Sequence, residues 1–289
     1  MKGSSSMLTV RPEKPIDPVS TEAIQQVQQC AASMEITILL IGATARIILL
    51  ENVYGLNGGR ATRDIDFAFA VENWEQFNTF KNLLISTGMF EAHSQIIHRL
   101  FFQSDLLKQK LTVDLLPFGG VENDNQIAWP PEMTTVMNIT GYQDALNSAV
   151  KLMISDDVII SVISIPGLAA LKLFAWADRN QTETKDAGDF VLLARNYHQA
   201  GNHERIYEPE FTSALSATRY DPELTGVWLL GYDLKAMCSE TTREQLAELL
   251  NSTKSRQLIE HMARELRHKS DPMKYAELVL HHFRDGLMS

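Results

Sequence analysis

The chain has 289 residues, of which 45% are hydrophobic and 21% charged, and its formal net charge is −10. This composition is typical of a globular protein with one or two domains, and the acidic balance argues against broad, non-specific nucleic-acid binding, which needs a basic surface. No apolar run approaches the roughly 20 residues of a membrane helix, and the two cysteines, Cys30 and Cys238, fit a reducing cytoplasm rather than a disulfide framework.

The first half of the chain predicts a mixture of strands and helices. Residues 1–6 resemble a tag, so we expect a tag-like or flexible N-terminus over 1–17. Hydrophobic periodicity then predicts a helix at 18–34, a buried strand at 36–41, a helix at 44–53, a loop at 54–62, a strand at 64–71, a helix at 72–87, a hairpin of 99–103 and 111–116 joined through 104–110, and a strand at 158–164.

From Pro166 onward the pattern is helical throughout. Helices are predicted at 168–177, 186–197, 204–216, 224–237, 242–251, 254–266 and 272–283. We therefore predict an α+β catalytic domain over 18–165, with a mixed sheet flanked by helices, and a helical domain over 166–289. The eight histidines show no zinc-like spacing with cysteine or glutamate, so we expect them on the surface.

The sharpest chemical signal is the sequence Asp64-Ile65-Asp66. Alternate residues of a strand project from the same face, so both carboxylates should converge on one point. Two adjacent carboxylates repel each other, and a hard divalent cation such as Mg²⁺ removes that cost. A lone Asp-x-Asp is more often simply solvated at a strand edge, so a further acidic residue is needed to support a metal site.

Asp114 supplies that further carboxylate. It lies among core-type residues on a predicted interior strand, where an unpartnered charge is costly. If its strand lies beside 64–71, the three aspartates could share two Mg²⁺ ions, which stabilise the attacking and leaving oxygens of a phosphoryl transfer. Asp114 would then complete the acceptor-side metal site or draw the proton from the acceptor hydroxyl.

A glycine turn precedes the aspartate pair. Gly42 lies between the predicted strand and helix, and Ala43 and Thr44 follow it. A helix that begins at such a turn presents free N–H groups to an anion, although an ordinary strand-to-helix turn has the same pattern. Thr44 could cap the helix or bind a phosphate. Arg46 belongs to the same turn sequence, and Arg63 could neutralise phosphates or pair with the adjacent Asp64.

The order of glycine turn, helix, Asp-x-Asp strand and later single aspartate resembles the polymerase β-like nucleotidyltransferases. Their turn usually contains Gly-Ser or Gly-Gly, whereas this chain has Gly42-Ala43, with Thr44 as a possible source of the hydroxyl. The resemblance implies binding of a nucleoside triphosphate at Gly42, Ala43, Thr44 and Arg46. The loop 54–62 lengthens the distance between the turn and Asp64.

The second half resembles the AbiEii/AbiGii toxin-type nucleotidyltransferases, in which a helix lysine precedes a Lys-Asp-x-x-Asp pattern. Here the lysine is Lys172 and the pattern is Lys185-Asp186-Ala187-Gly188-Asp189. The resemblance implies that Lys172 contacts the triphosphate, that Lys185 and Asp186 lie near the active site, and that Asp189 orients them. A lysine on an apolar helix face can also extend to water, and Thr184 can simply cap the second helix.

We therefore predict a cytoplasmic, Mg²⁺-dependent nucleotidyltransferase. Its acceptor would be the hydroxyl of a tRNA end, a protein or a small molecule. We expect the nucleoside triphosphate to bind in a cleft between the two domains. A toxin-type enzyme would have an antitoxin protein as partner. One alternative is a catalytically inactive nucleotide-binding module. Another is an antibiotic-modifying enzyme, in which Glu122, Asp124 and Asp178 would suit a cationic aminoglycoside.

Overall fold

The computed structural model describes residues 7–104, 110–155 and 158–289. The tag-like segment 1–6 and most of the predicted hairpin connection lie outside the described residues. The chain forms two compact units that divide between Ser164 and Ile165. Along the described parts of the chain, every helix is too short or too polar to span a bilayer.

The first unit is built on a mixed eight-stranded sheet with the strand order β1-β9-β10-β2-β3-β6-β5-β4, beside a separate ribbon of β7 and β8. The strands are β1 (Leu8–Thr9), β2 (Ile38–Ile41), β3 (Asp64–Val71), β4 (Phe90–Ala92), β5 (Arg99–Phe102), β6 (Leu111–Gly119), β7 (Gln126–Ala128), β8 (Val136–Asn138), β9 (Val150–Ser155) and β10 (Val158–Val162). The helices are α1 (Pro18–Ser33), α2 (Gly42–Ile47), which continues as a π-helix (Ile48–Val53), α3 (Trp74–Ser86) and α4 (Tyr142–Asn147).

Strand β3 lies at the centre of the sheet, antiparallel to β2 and parallel to β6. Its side chains alternate as predicted, with Ile65, Phe67 and Phe69 buried on one face. The ring of Phe69 lies 6.0 Å from that of Phe77 and 5.0 Å from that of Phe80, both on α3. Burial of such an aromatic side chain contributes about 1.5–3 kcal/mol, so the opposite face of β3 is held in a defined orientation.

Most elements match the predictions, and the mixed sheet with helices confirms the predicted fold class. Strand β1 lies inside the segment predicted to be flexible and pairs in parallel with Leu152 and Met153 of β9. The sequence did not predict β4, β7, β8, β9 or α4, because elements of three to six residues contain too few positions to show a period. The single helix predicted at 204–216 is instead two 3₁₀ turns and a short helix, since a proline at position 209 interrupts it.

The second unit is helical. Its elements are α5 (Ile165–Arg179), α6 (Lys185–Asn196), 3₁₀ turns at Arg205–Tyr207 and Pro209–Phe211, α7 (Thr212–Ala217), α8 (Pro222–Met237), α9 (Glu240–Asn251), α10 (Lys254–Glu265) and α11 (Pro272–Met288). Helices α8 and α11 approach so closely at Gly286 that a Cβ there would collide with the backbone carbonyl of Trp228. The absence of a side chain at Gly286 permits this contact.

The prediction that the histidines lie on the surface is wrong for three of them. His198, His261 and His282 are buried in the second unit. The indole N–H of Trp176 donates to Nδ1 of His261 at 3.0 Å. Burial lowers the pKa of all three imidazoles. They therefore pack as neutral side chains, which spacing along the sequence does not reveal.

A half-buried ion network at the start of α8 stabilises the second unit. Glu223 accepts hydrogen bonds from Arg195 Nε at 2.8 Å, from Lys269 Nζ at 3.3 Å and from the hydroxyl of Tyr275. Burial alone would raise the pKa of Glu223, but these bonds and the neighbouring positive charges outweigh it and lower the pKa to about 2. The ionised carboxylate is thus stabilised by folding.

Replacement of Glu223 by Gln should lower the free energy of unfolding at pH 7 by about 3 kcal/mol. The carboxylate stabilises the fold fully above its unfolded pKa of 4.5, and this contribution disappears as the pH falls toward about 2. Urea denaturation should therefore show the wild type and Glu223→Gln converging between pH 5 and 3, with Glu277→Gln, exposed on α11, as the control. A difference of the same size at both pH values would contradict this assignment.

Candidate active site

The three predicted metal ligands lie on one face of the sheet. In the parallel pairing of β3 and β6, Asp66 is the register partner of Asp114, and Asp64 is the partner of Thr112. Register partners on neighbouring strands project from the same face, as do residues two apart on one strand. The structure therefore brings the three aspartates together. Asp64 is exposed, Asp66 is half-buried and Asp114 is buried.

The aspartates Asp64, Asp66 and Asp114 form a row across β3 and β6, called the carboxylate row below. Arg99 lies next to this row on the neighbouring strand β5. It is the register partner of Asp114 in the antiparallel pairing of β5 and β6. Its Nε donates to one carboxylate oxygen of Asp114 at 2.8 Å and its Nη2 to the other at 2.7 Å. This hydrogen bond, and the charges of Asp114, Asp64 and Asp66, raise the pKa of Arg99. The guanidinium therefore lies in the field of all three carboxylates.

The predicted glycine turn packs directly against the row. Gly42 has φ of +73°, and a Cβ at this position would collide with the carboxylate of Asp66. Only glycine combines this backbone conformation with the available space. The turn between β2 and α2 is therefore held next to Asp66.

The next residues of the turn pack into the first unit. Thr44 is buried, and its hydroxyl donates to the backbone carbonyl of Asp64 at 2.6 Å, which connects the start of α2 to the start of β3. Contact of Ala43 or Thr44 with a phosphate stays a prediction. Ala43 is half-buried and Ala45 is fully buried.

The two arginines predicted near the phosphates differ in their surroundings. Arg46 is fully buried and donates to the backbone carbonyls of Gly58 and Arg60, the latter at 2.9 Å. These hydrogen bonds hold the loop between the π-helix and β3 in place. A contact of Arg46 with a phosphate stays a prediction. Arg63 is exposed and lines a cavity of about 420 Å³. Thr44, Thr62 and Lys110 also line this cavity.

The lysine and aspartates of the second unit form their own cluster. Lys172 on α5 is buried, and its Nζ lies 3.0 Å from Asp186 and 2.6 Å from Asp189, both on α6. The side chain therefore does not extend to water. Arg179 Nε lies 2.6 Å from the second oxygen of Asp186. Burial would raise the pKa of Asp186, but the hydrogen bond from Arg179 and the charges of Lys172 and Arg179 lower it.

Lys185 lies outside this cluster, since it is exposed and pairs with Glu183 at 2.7 Å. Thr184 is at the N-cap position of α6 but makes no capping hydrogen bond with its side chain. Sequence reasoning missed the bond between Arg179 and Asp186, which crosses the turn between the two helices. It also missed the pairing of Arg99 with Asp114, which follows from the register of the hairpin.

The chemistry of the carboxylate row fits magnesium. All three groups are hard oxygen donors, and the row contains no sulfur or imidazole ligand that would favour zinc. The bond to Arg99 uses one lone pair on each oxygen of Asp114, and each oxygen has a second. Asp64, Asp66 and Asp114 can therefore offer oxygen atoms to a cation while Arg99 stays bound.

A mixed sheet with carboxylates on adjacent parallel strands, next to a glycine turn, is the arrangement that the resemblance to nucleotidyltransferases implies. Residues 30–287 match the family described as "Nucleotidyl transferase AbiEii toxin, Type IV TA system", and the chain belongs to this family. The match covers both compact units, which confirms the predicted resemblance.

Several solved structures are similar to the chain. An antigenic nucleotidyltransferase-like protein from Paracoccidioides brasiliensis has 18% identity and a TM-score of 0.43, covering 70% of this chain and 95% of that one. The antibiotic-resistance factor ANT(2'')-Ia in solution has 11% identity and a TM-score of 0.38, covering 71% and 100%. Its complex with adenylyl-2''-tobramycin has 14% identity and a TM-score of 0.37, covering 70% and 99%. No curated protein matches the chain.

Replacement of Gly42 by Ala should reduce nucleotidyl transfer at least about tenfold, because the added methyl group displaces the carboxylate of Asp66. Gly88→Ala is the matched control, since Gly88 also has positive φ, +77°, but open space around its Cβ position. Both variants carry backbone strain of about 1 kcal/mol, measurable by thermal denaturation. Equal activity of Gly42→Ala and Gly88→Ala would show that the turn does not position Asp66.

Proposed function

We propose that the protein transfers a nucleotidyl group from a nucleoside triphosphate to an acceptor hydroxyl, in a reaction that depends on Mg²⁺ bound by Asp64, Asp66 and Asp114. The observation that carries the proposal is the register pairing of Asp66 with Asp114, with Asp64 on the same face. Three acidic groups in such a row repel each other. Their position on one face of the sheet is explained if they share a cation with substrate phosphates.

Magnesium in this site would supply positive charge to offset the charge that develops on the phosphate oxygens during transfer. The protein's own groups orient the reactants. Asp64 and Asp66 offer oxygens from a strand whose other face is buried, so their positions vary little. The backbone N–H groups after Gly42 are available to a phosphate, because they belong to the first turn of α2.

In the proposed reaction the acceptor oxygen attacks the α-phosphorus of the triphosphate. A new P–O bond forms to the acceptor, the bond to the bridging oxygen breaks, and pyrophosphate leaves. Asp114 can accept the proton of the acceptor hydroxyl, since each of its oxygens has a lone pair beyond the one that Arg99 uses. Most of the rate enhancement would come from positioning and electrostatics.

On the basis of the family resemblance, the proposal includes Lys172, Lys185 and Asp186 as contacts of the nucleotide. Within the second unit, Asp186 and Asp189 lie 3.0 and 2.6 Å from the ammonium group of Lys172 and hold it in one orientation.

The cavity of about 420 Å³ in the first unit is within the range of small-molecule sites. Its charged lining residues are Arg63, Lys110, Asp17 and Glu51, and the aspartates at 64, 66 and 114 are not among the residues that line it. The proposed nucleotide site is therefore the face of the sheet that carries those aspartates, not this cavity. Membership of a toxin–antitoxin family also supports an antitoxin partner and a cytoplasmic location.

Replacement of Asp64 or Asp66 by Asn should lower transfer at least about 100-fold, because the amide cannot carry the charge that binds the cation. Both variants should remain folded, since neither side chain is fully buried. The assay incubates the protein with each α-³²P-labelled nucleoside triphosphate and Mg²⁺, and Glu277→Gln at an exposed position of α11 is the control. Full activity of folded Asp64→Asn and Asp66→Asn would refute the proposed metal site.

Removal of divalent cations with EDTA should abolish transfer, and added Mg²⁺ should restore it. The same assay identifies the acceptor if tRNA, total cell protein and an aminoglycoside are offered in separate reactions. Label in one of these identifies the substrate class. Undiminished transfer in EDTA would contradict the requirement for a metal.

A further inference from the structure

Arg99 binds Asp114, one of the three aspartates of the carboxylate row, with a defined geometry. Two parallel hydrogen bonds of 2.8 and 2.7 Å join its guanidinium to both oxygens of Asp114. Their strand positions are register partners, so the sheet itself sets the distance between the two side chains. Such a bidentate pair fixes the plane of the carboxylate as well as its position. Rotation of Asp114 would break at least one of the two bonds.

The pair is also shielded from solvent. The side chain of Asp114 is 11% exposed and that of Arg99 is 31% exposed. Charges in such a place are screened less than surface charges, so their interactions extend to neighbouring groups. Asp66 is the neighbour on the other side of Asp114, which places the carboxylate of Asp114 between one negative and one positive partner.

The charges in the row give Arg99 a second effect. Asp64, Asp66 and Asp114 contribute negative charge when ionised, and Arg99 places a positive charge directly beside Asp114. A neutral residue at position 99 would leave an additional negative charge and attract cations more strongly.

We propose that Arg99 is a positioning residue that orients Asp114 for nucleotidyl transfer and limits how strongly the carboxylate row binds divalent cations. This inference rests on the proposed function, since it assumes that the row binds a cation. The two effects separate by chemistry: orientation needs the planar two-pronged guanidinium, whereas the limit on cation binding needs only a positive charge.

Two substitutions separate these effects. Arg99→Lys keeps the charge but cannot form two parallel bonds, and Arg99→Gln removes the charge. Arg256→Gln, at a highly exposed arginine of α10, is the control. Mn²⁺ affinity is measured by electron paramagnetic resonance on the full-length proteins without nucleotide, and kcat and KM for the triphosphate are measured at saturating Mg²⁺. Circular dichroism and thermal denaturation establish that each variant is folded.

Arg99→Gln should bind Mn²⁺ about three- to tenfold more tightly, while its kcat falls about 100-fold. Arg99→Lys should bind Mn²⁺ within about twofold of wild type, with kcat about tenfold lower. KM for the triphosphate should change little in either variant. A merely structural role for Arg99 would not tighten cation binding.

Unchanged or weaker Mn²⁺ binding in folded Arg99→Gln would overturn the charge effect. Wild-type kcat in folded Arg99→Lys would overturn the orienting role, and a large rise in KM alone would show that Arg99 binds substrate phosphate instead. If the wild-type protein itself bound no Mn²⁺ and transferred without a metal, the proposed function would fail. That result is distinct from a failure of Arg99 alone.

Discussion

The parallel pairing of β3 with β6 is the constraint on which the rest of the site depends. It places Asp66 beside Asp114 and leaves Asp64 on the same face. A slip of one residue would turn Asp114 to the opposite face of the sheet, where Val113 is now buried. The buried side chains of β3 and β6 therefore specify the register, and through it they specify the chemistry. The glycine turn and Arg99 then act on carboxylates whose positions the sheet has already determined.

The protein balances negative charge in two different ways. In the second unit Lys172 and Arg179 pair with Asp186 and Asp189, so that cluster is neutral by itself. In the first unit Arg99 pairs with Asp114, one of the three aspartates on the same face of the sheet. Carboxylate oxygens grouped in this way are the ligands that Mg²⁺ prefers. The contrast explains why we assign the cation to the first unit and a role in holding Lys172 to the second.

The sequence predicted β3 to the residue and the three carboxylates as a group, because alternation and the Asp-x-Asp spacing are local signals. It did not predict that Arg99 binds Asp114, since that contact depends on the hairpin register rather than on spacing along the chain. The turn residues were ambiguous for a similar reason. Thr44 and Arg46 are polar residues beside a glycine, which suits a phosphate site, but tertiary packing buries both and directs them to backbone carbonyls. Burial of three histidines followed from helix packing, which no short motif encodes.

The most direct test of the shared cation site is anomalous diffraction from crystals grown with Mn²⁺ and a non-hydrolysable nucleoside triphosphate analogue. Our account predicts an anomalous peak within coordination distance of carboxylate oxygens of both Asp66 and Asp114, with a phosphate oxygen on the same ion. A bound analogue whose metal contacted neither aspartate would contradict it.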